Sequence, residues 1–318
     1  ETTVGARLGP IWRLEAAEGL FDNADVQSLA DDLPEVFSRF RRKAEKRLAF
    51  APSRPTPGSL GPVSLPESCA PGDLPDLDAL GWDPPIRDPR AALVAEGGEE
   101  AGLARVQSWI FDEDRLRQYK VTRNGMLGEA YSSKFSPWLA NGSLSARRVI
   151  EETLRYESER VANDSTYWLR FELLWREYFR LYLFKHGPTL FSAGGPSQRD
   201  LGWSGSDEYF EAWRTGRTGV PLVDANMVEL ERTGFMSNRG RQIVASFLSK
   251  NLDVDWRRGA QWFEHCLVDY CPAANWGNWA YAAGVGADPR GFRGFDIGRQ
   301  AQNYDADGEY VATWLGDS

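Results

Sequence analysis

A chain of 318 residues with 42% hydrophobic content can bury a substantial core, as one large domain or two modest ones. No apolar run approaches the roughly 18 residues of a spanning helix, and Glu1-Thr2-Thr3-Val4-Gly5 lacks the basic and apolar regions of a signal peptide, so no membrane association is expected. A formal net charge of −9 excludes nucleic-acid binding by the surface as a whole, though not by a local basic site.

Three cysteines, Cys69, Cys266 and Cys271, are too few and scattered for a disulfide framework, which fits a reducing compartment. With only His186 and His265 to help, the Cys266/Cys271 pair lacks zinc-ligand spacing, and structural cysteines are expected. The 13 tryptophans fall mostly after Glu100, where they can pack a core, stack on a planar ligand or carry electrons. Core packing is the simplest expectation for most of them.

Asp31 to Lys46 reads as an amphipathic helix, with Leu33, Val36, Phe37 and Phe40 on one side and Arg39, Arg41, Arg42 and Lys43 elsewhere. From Ala51 to about Gly98 the chain is rich in Pro, Gly, Ser and Asp, as in Arg54-Pro55-Thr56-Pro57-Gly58 and Asp83-Pro84-Pro85. This predicts a long linker draped over a surface. From Ala101 onward helical periods recur between short Gly or Pro breaks without alternating strand patterns, so a mainly α body of low strand content is expected. There is no internal repeat, phosphate-loop motif or glycine fingerprint after a strand.

Four segments can carry chemistry. In Tyr131-Ser132-Ser133-Lys134-Phe135-Ser136-Pro137-Trp138-Leu139, serines and a lysine precede a Pro at a plausible first helical position, which suits either a phosphate or an ordinary cap. On the helix Phe171 to Arg180, Glu172, Trp175, Arg176 and Phe179 share a face that can hold a flat polar ligand, or simply pack its aromatic side inward. Asn238, Arg239 and Arg241 open another helix before the apolar stripe Ile243, Val244, Phe247 and Leu248; the arginines suit phosphate, Asp269 or a solvated helix end. Asn275-Trp276-Gly277-Asn278-Trp279-Ala280-Tyr281 crowds aromatics and amides into a stretch of poor helix propensity, which suggests a ligand wall.

In this order, Tyr119 to Arg123, Ser132 to Leu139, Glu172 to Arg180, Asn238 to Gln242 and Trp279 resemble the flavin domain of the photolyase and cryptochrome family. Asn275 to Trp279, the run Gln300-Ala301-Gln302-Asn303-Tyr304-Asp305 and Glu309-Tyr310-Val311 look like the cryptochrome DASH group specifically. The resemblance implies a helical FAD-binding domain over 101–318, a linker over 51–100, and, over 1–50, the last part of the family's N-terminal α/β domain. Most of that domain is expected to be missing, so its antenna pigment, of the methenyltetrahydrofolate type, is not expected to bind.

By the same resemblance FAD lies in a U-shape with Tyr119, Ser132, Ser133, Lys134, Phe135 and Ser136 around its phosphates. Arg176, Arg241 and Asp269 line the flavin, and Asn275 stands beside its reactive edge, an amide as in repair-competent branches. Trp279, Trp256 and Trp213 match the chain of indoles that passes an electron from the surface to photoexcited flavin. Glu172, Trp175, Asn238 and Arg239 match contacts to a pyrimidine dimer or its flanking backbone, and Arg123 and Gln300 match further DNA contacts. Tyr281 stands where double-strand-repairing relatives carry Trp, which favours single-stranded DNA. Two departures from the family pattern are Cys271, where close relatives have an acidic residue, and Ala273-Ala274, in place of a more polar pair.

The implied activity is that of a deoxyribodipyrimidine photo-lyase: reduced FAD, excited by blue light, lends an electron to a cyclobutane dimer and regains it after the ring splits. The competing expectations are a light-sensing signalling cryptochrome and a fragment that keeps the fold without the activity. The ending at Asp317-Ser318, without a long extension, tilts toward repair. Relatives in plants and algae work in plastids or mitochondria, which makes those compartments, or a bacterial cytoplasm, the expectation.

Overall fold

The computed structural model describes residues 19–47, 49–55, 58–59, 72–288 and 294–316. Cys69, Pro57 and the chain ends lie outside these. In order come α1 (Asn23–Asp31), α2 (Phe37–Arg47), α3 (Glu99–Gln107), α4 (Tyr119–Thr122), α5 (Ser136–Asn141), α6 (Ala146–Glu159) and α7 (Asp164–His186). There follow α8 (Asp207–Arg214), α9 (Pro221–Thr233), α10 (Asn238–Lys250), α11 (Trp256–Cys266), α12 (Pro272–Ala283), α13 (Ile297–Tyr304) and α14 (Glu309–Leu315). No strand occurs among the described residues, and no helix there is long and apolar enough to cross a membrane.

The amphipathic helix expected from Asp31 begins later, at Phe37. Pro34 is the reason: its ring disfavours helical geometry at Leu33 and it offers no N–H. Leu33, Phe37 and Phe40 still reach the core, at 3%, 5% and 1% exposure. The preceding segment, including α1, is tied to the later helices. Arg147 on α6 donates to the carbonyls of Gly19 and Phe21, both at 2.7 Å, and the Glu177 carboxylate on α7 accepts from the backbone N–H of Leu20 at 3.2 Å. Residues 72–98 carry no helix or strand and lie along the surface, with Arg90 reaching the Thr313 carbonyl and the Trp314 ring.

The organising element is α7, 23 residues and roughly 35 Å long. Asn163 starts it with a capping box: its side chain accepts from the Ser165 and Thr166 amides while Thr166 accepts from the Asn163 backbone N–H. On its flanks pack α1, α2, α4, α6 and α12, and α10 and α11 pack on α12. The segment Asn275 to Tyr281 is helical despite its composition. Pro272 stands in the first turn, and Gly277 lets α12 come so close to α7 that any Cβ there would overlap Phe179. Gly259 does the same between α11 and α12, where a Cβ would overlap Trp279 and sit 2.6 Å from Leu248. Two small residues therefore fix the spacing of the three helices that carry most of the site.

Candidate functional site

The loop before α5 is braced from behind by two cations. Lys134, at φ +53° and 3% exposed, donates to the Gly128 and Glu129 carbonyls at 3.0 and 3.1 Å, with its ammonium 3.4 Å from the Tyr131 ring centre. Arg105 donates to the carbonyls of Ser133, Glu129 and Ser132. Burial, with the nearby Arg105 charge, pushes the Lys134 ammonium down to about 7. Lys134 thus spends its donors inside the loop. The half-buried side chains of Ser132, Ser133 and Ser136 take no hydrogen bond from the described residues, so the hydroxyls are the open donors of this turn. Phe135 is buried behind them and meets Trp109 edge-on, as does Tyr119.

The floor lies between α10, α11 and α12. Arg241 places one nitrogen 3.0 and 2.9 Å from the two oxygens of Asp269 and donates through Nε to the Met236 carbonyl at 2.9 Å. Of the openings left by sequence for these arginines, Arg241 takes the carboxylate. Asn275, 8% exposed, donates through Nδ2 to the Ala260 carbonyl at 2.9 Å. That bond orients the amide and leaves its Oδ1 as an acceptor. Arg176, one turn beyond Glu172, donates to the Leu139 carbonyl at the end of α5 at 3.0 Å.

The rim is charged and aromatic. Arg123 approaches Glu172 Oε1 at 2.5 Å, and the Trp168 indole donates to the same oxygen at 3.0 Å. Burial raises the Glu172 carboxyl above its ordinary range, while Arg123 and Trp168 pull it back. Tyr119, 7% exposed, has its phenol raised chiefly by burial, with the Glu172 charge adding to the rise and Arg123 opposing it. Arg239 bonds Gln242 at 3.0 Å and Asn124 at 3.2 Å, and lies 4.5 Å from the Tyr304 ring centre. Gln300 sits one helical turn before Tyr304, with its Oε1 buried and unpartnered, while Asn238 is exposed. Arg123, Glu172, Arg239 and Gln300 are therefore gathered on one side, around α4, α7, α10 and α13.

Trp175 presents less than its sequence position suggests. Phe37 stacks flat on it at 3.6 Å, Phe179 packs offset at 5.4 Å, and Tyr281 meets it edge-on at 6.0 Å. Much of the half-buried indole is thus covered by protein aromatics.

The expected row of indoles is also arranged differently. Trp213 is 0% exposed and touches Trp279 at 6.0 Å, so it cannot be the member that reaches the surface. Trp256, also 0% exposed, meets Trp276 at 5.6 Å, and its helix places Gly259 against Trp279. Two indoles nearby are half-exposed: Trp262, with the Arg214 guanidinium 4.7 Å from its ring centre, and Trp203. Trp203 lines an open cleft of about 610 Å³ together with Ala193, whose carbonyl accepts the Trp256 indole N–H at 3.0 Å. Sequence reasoning passed over Trp203 and Trp168, and took Trp276 only as part of a ligand wall. For Trp203 a signal existed: Leu201-Gly202-Trp203-Ser204-Gly205 is too rich in glycine for a helix and marks a tryptophan on a loop.

Residues 168–317 match the family model described as the FAD binding domain of DNA photolyase. The cryptochrome DASH of Gloeobacter violaceus is 54% identical over 291 residues, which are 92% of this chain and 58% of that protein. The chloroplastic/mitochondrial cryptochrome DASH of Arabidopsis thaliana is 51% identical over 311 residues, 97% of this chain and 54% of that protein. A crystal structure of a cryptochrome from Synechocystis sp. PCC6803 superposes with a TM-score of 0.82 at 50% identity, covering 94% of this chain and 61% of the other. The chain thus spans little more than half the length of these relatives. With half its residues identical to theirs over nearly its whole extent, it belongs to the photolyase and cryptochrome family, in the cryptochrome DASH group, and its helical body is the family's FAD-binding domain.

Proposed function

We propose that this chain is a blue-light-driven photolyase that uses FAD to split cyclobutane pyrimidine dimers, preferentially in single-stranded DNA. The residues fit the cofactor by the chemistry of their donors. A pyrophosphate needs donors without internal partners, and Ser132, Ser133 and Ser136 supply them beside Tyr119 and the buried charge of Lys134. A flat heterocycle needs a fixed polar edge, which Arg176, Arg241, Asp269 and Asn275 provide. When bound, the flavin would supply light-driven electron donation and recovery; the protein positions the reactants and sets their electrostatics.

Arg123 and Arg239 are then the phosphate contacts flanking the lesion, with Asn238 and Gln300 as polar contacts and Trp175 and Tyr281 as apolar walls. Glu172 addresses a base carbonyl. Trp279, one turn after Asn275, with Trp256 and Trp276 behind it, forms the inner part of an electron path that reaches the surface at Trp203 rather than Trp213. The observation that carries this reading is the Arg123–Glu172 pair, half-buried on the same side as Arg239 and one helical turn before Arg176. A carboxyl raised by burial is poised to donate a proton or a hydrogen bond to a ligand.

The test is anaerobic illumination of the FAD-loaded, reduced chain with a thymine dimer placed in a single-stranded and in a duplex oligonucleotide, followed by chromatographic counting of restored thymines. Repair of the single strand in excess of the duplex is expected. Glu172→Ala should slow that repair and leave flavin content unchanged. Stoichiometric FAD with no repair of either substrate overturns the assignment and leaves a light-sensing role as the better reading.

A further inference from the structure

Glu172 is held asymmetrically. An arginine fork normally engages both carboxylate oxygens. Here the close Arg123 contact and the Trp168 indole both fall on Oε1, and Oε2 accepts no hydrogen bond from the described residues. The side chain keeps 27% exposure, so the carboxyl group is within reach of a ligand. Trp168 is itself locked. It lies one helical turn before Glu172 on α7, packs on Phe171 at 4.7 Å, and has the Lys120 ammonium and the Arg123 guanidinium 5.1 and 5.6 Å from its ring centre. Lys120 is in turn fixed by Asp164 at 2.7 Å.

Building on the repair reading above, we propose that Trp168 is the positioning residue for Glu172: with Arg123 it occupies Oε1, so the carboxyl carries its proton on Oε2 and presents it outward to a carbonyl oxygen of the bound base. Two donors on one oxygen make it the less basic of the pair, which sends the proton to the other. The charged and titratable groups around the carboxyl are Arg123, Tyr119 and Lys120 on its α4 side, Asp164 at the start of α7, and Arg239 across Arg123 on α10. Each of these stays in place when the indole N–H is removed, so the indole's contribution can be isolated. In Glu172→Gln the same two donors demand the amide oxygen at the Oε1 position and turn the NH2 outward, a permanent copy of the protonated acid.

The experiment compares the wild type with Trp168→Phe, which keeps the ring and loses the donor. Titration of the Glu172 carboxyl by 13C NMR without DNA, assigned with Glu172→Gln, should show the midpoint rising by about half to one pH unit in Trp168→Phe. An unmoved midpoint overturns the proposal. In the dark, binding of a dimer-containing single strand should weaken as pH rises through that midpoint. The weakening should shift upward by the same amount in Trp168→Phe and be absent in Glu172→Gln. Binding whose pH limb ignores both substitutions also overturns it. A shifted carboxyl with no affinity for dimers in any of the three proteins would leave the positioning role standing and remove the repair reading instead.

Discussion

The floor of the site and the loop beneath α5 solve the same problem, buried polar groups, in opposite ways. On the floor Arg241 and Asp269 neutralise each other and Asn275 is tied to a backbone carbonyl. Under the loop, Lys134 is buried with carbonyls and a ring for company and no carboxylate of the described residues within ion-pair distance, while the 1% exposed Glu229 has the Tyr310 hydroxyl at 2.6 Å as its donor. The floor is therefore shaped by folding alone. The loop region instead buries groups that have no ion pair among the described residues.

Breaking the floor should cost most. Asp269→Ala strands a guanidinium beside buried surface, and a loss of about 3 kcal/mol in denaturant unfolding is expected. A loss below about 1 kcal/mol would show that Arg241 finds water, and that the floor is less closed than its geometry indicates.

The loop should declare itself through pH. Burial raises Glu229 from 4.5 to about 7, against the pull of Tyr310, Lys134 and Arg241. Between those values the folded protein holds a proton that the unfolded chain has released, so stability falls as pH rises from 4.5 to 7. Burial lowers Lys134 from 10.5 to about 7, so from 7 to 10.5 the unfolded chain holds the extra proton and stability rises. These two groups together predict a dip in thermal stability near neutrality. Glu229→Gln should flatten its acid side and Lys134→Met its alkaline side. A dip that survives both substitutions would assign it to other groups.

Between the floor and the loop in size comes the helix spacing. Gly259→Ala pushes a methyl into Trp279 and Leu248 and should cost about 1–3 kcal/mol. An unchanged stability would mean that α11 and α12 can part without loss.

How much of this was legible beforehand follows the same division. The helices α7 and α10 announce themselves by periodicity, since Ile243, Val244, Phe247 and Leu248 form one buried stripe. The order of the polar segments located the site. Partners across helices were not legible, because they depend on packing: Lys134 reads as an anion ligand until its ammonium is seen on the carbonyls of Gly128 and Glu129. Trp213 and Trp203 are ten places apart; the glycines around Trp203 hint at a loop, and burial shows that Trp213 is the enclosed one. Likewise the poor helix propensity of Asn275 to Tyr281 was overridden by tertiary contacts at Gly277 and by Pro272. Trp168 and Glu172 stand at i,i+4, a spacing that permits their bond, but α7 offers several such pairs and nothing in the spacing selects this one.

The smallest effect on stability is the most telling for the loop. The hydroxyls of Ser132 and Ser133 hold nothing among the described residues, so Ser132→Ala and Ser133→Ala should leave unfolding within about 0.5 kcal/mol of the parent. The same substitutions remove donors that a pyrophosphate would use, and each should weaken FAD by roughly fivefold to tenfold in equilibrium dialysis, with the double variant weaker still. Flavin affinity lost without stability lost would separate binding from folding in this loop, as the pairing of Arg241 with Asp269 does not allow on the floor. Stability lost together with affinity would show that the serines brace the turn, and that the loop is built like the floor after all.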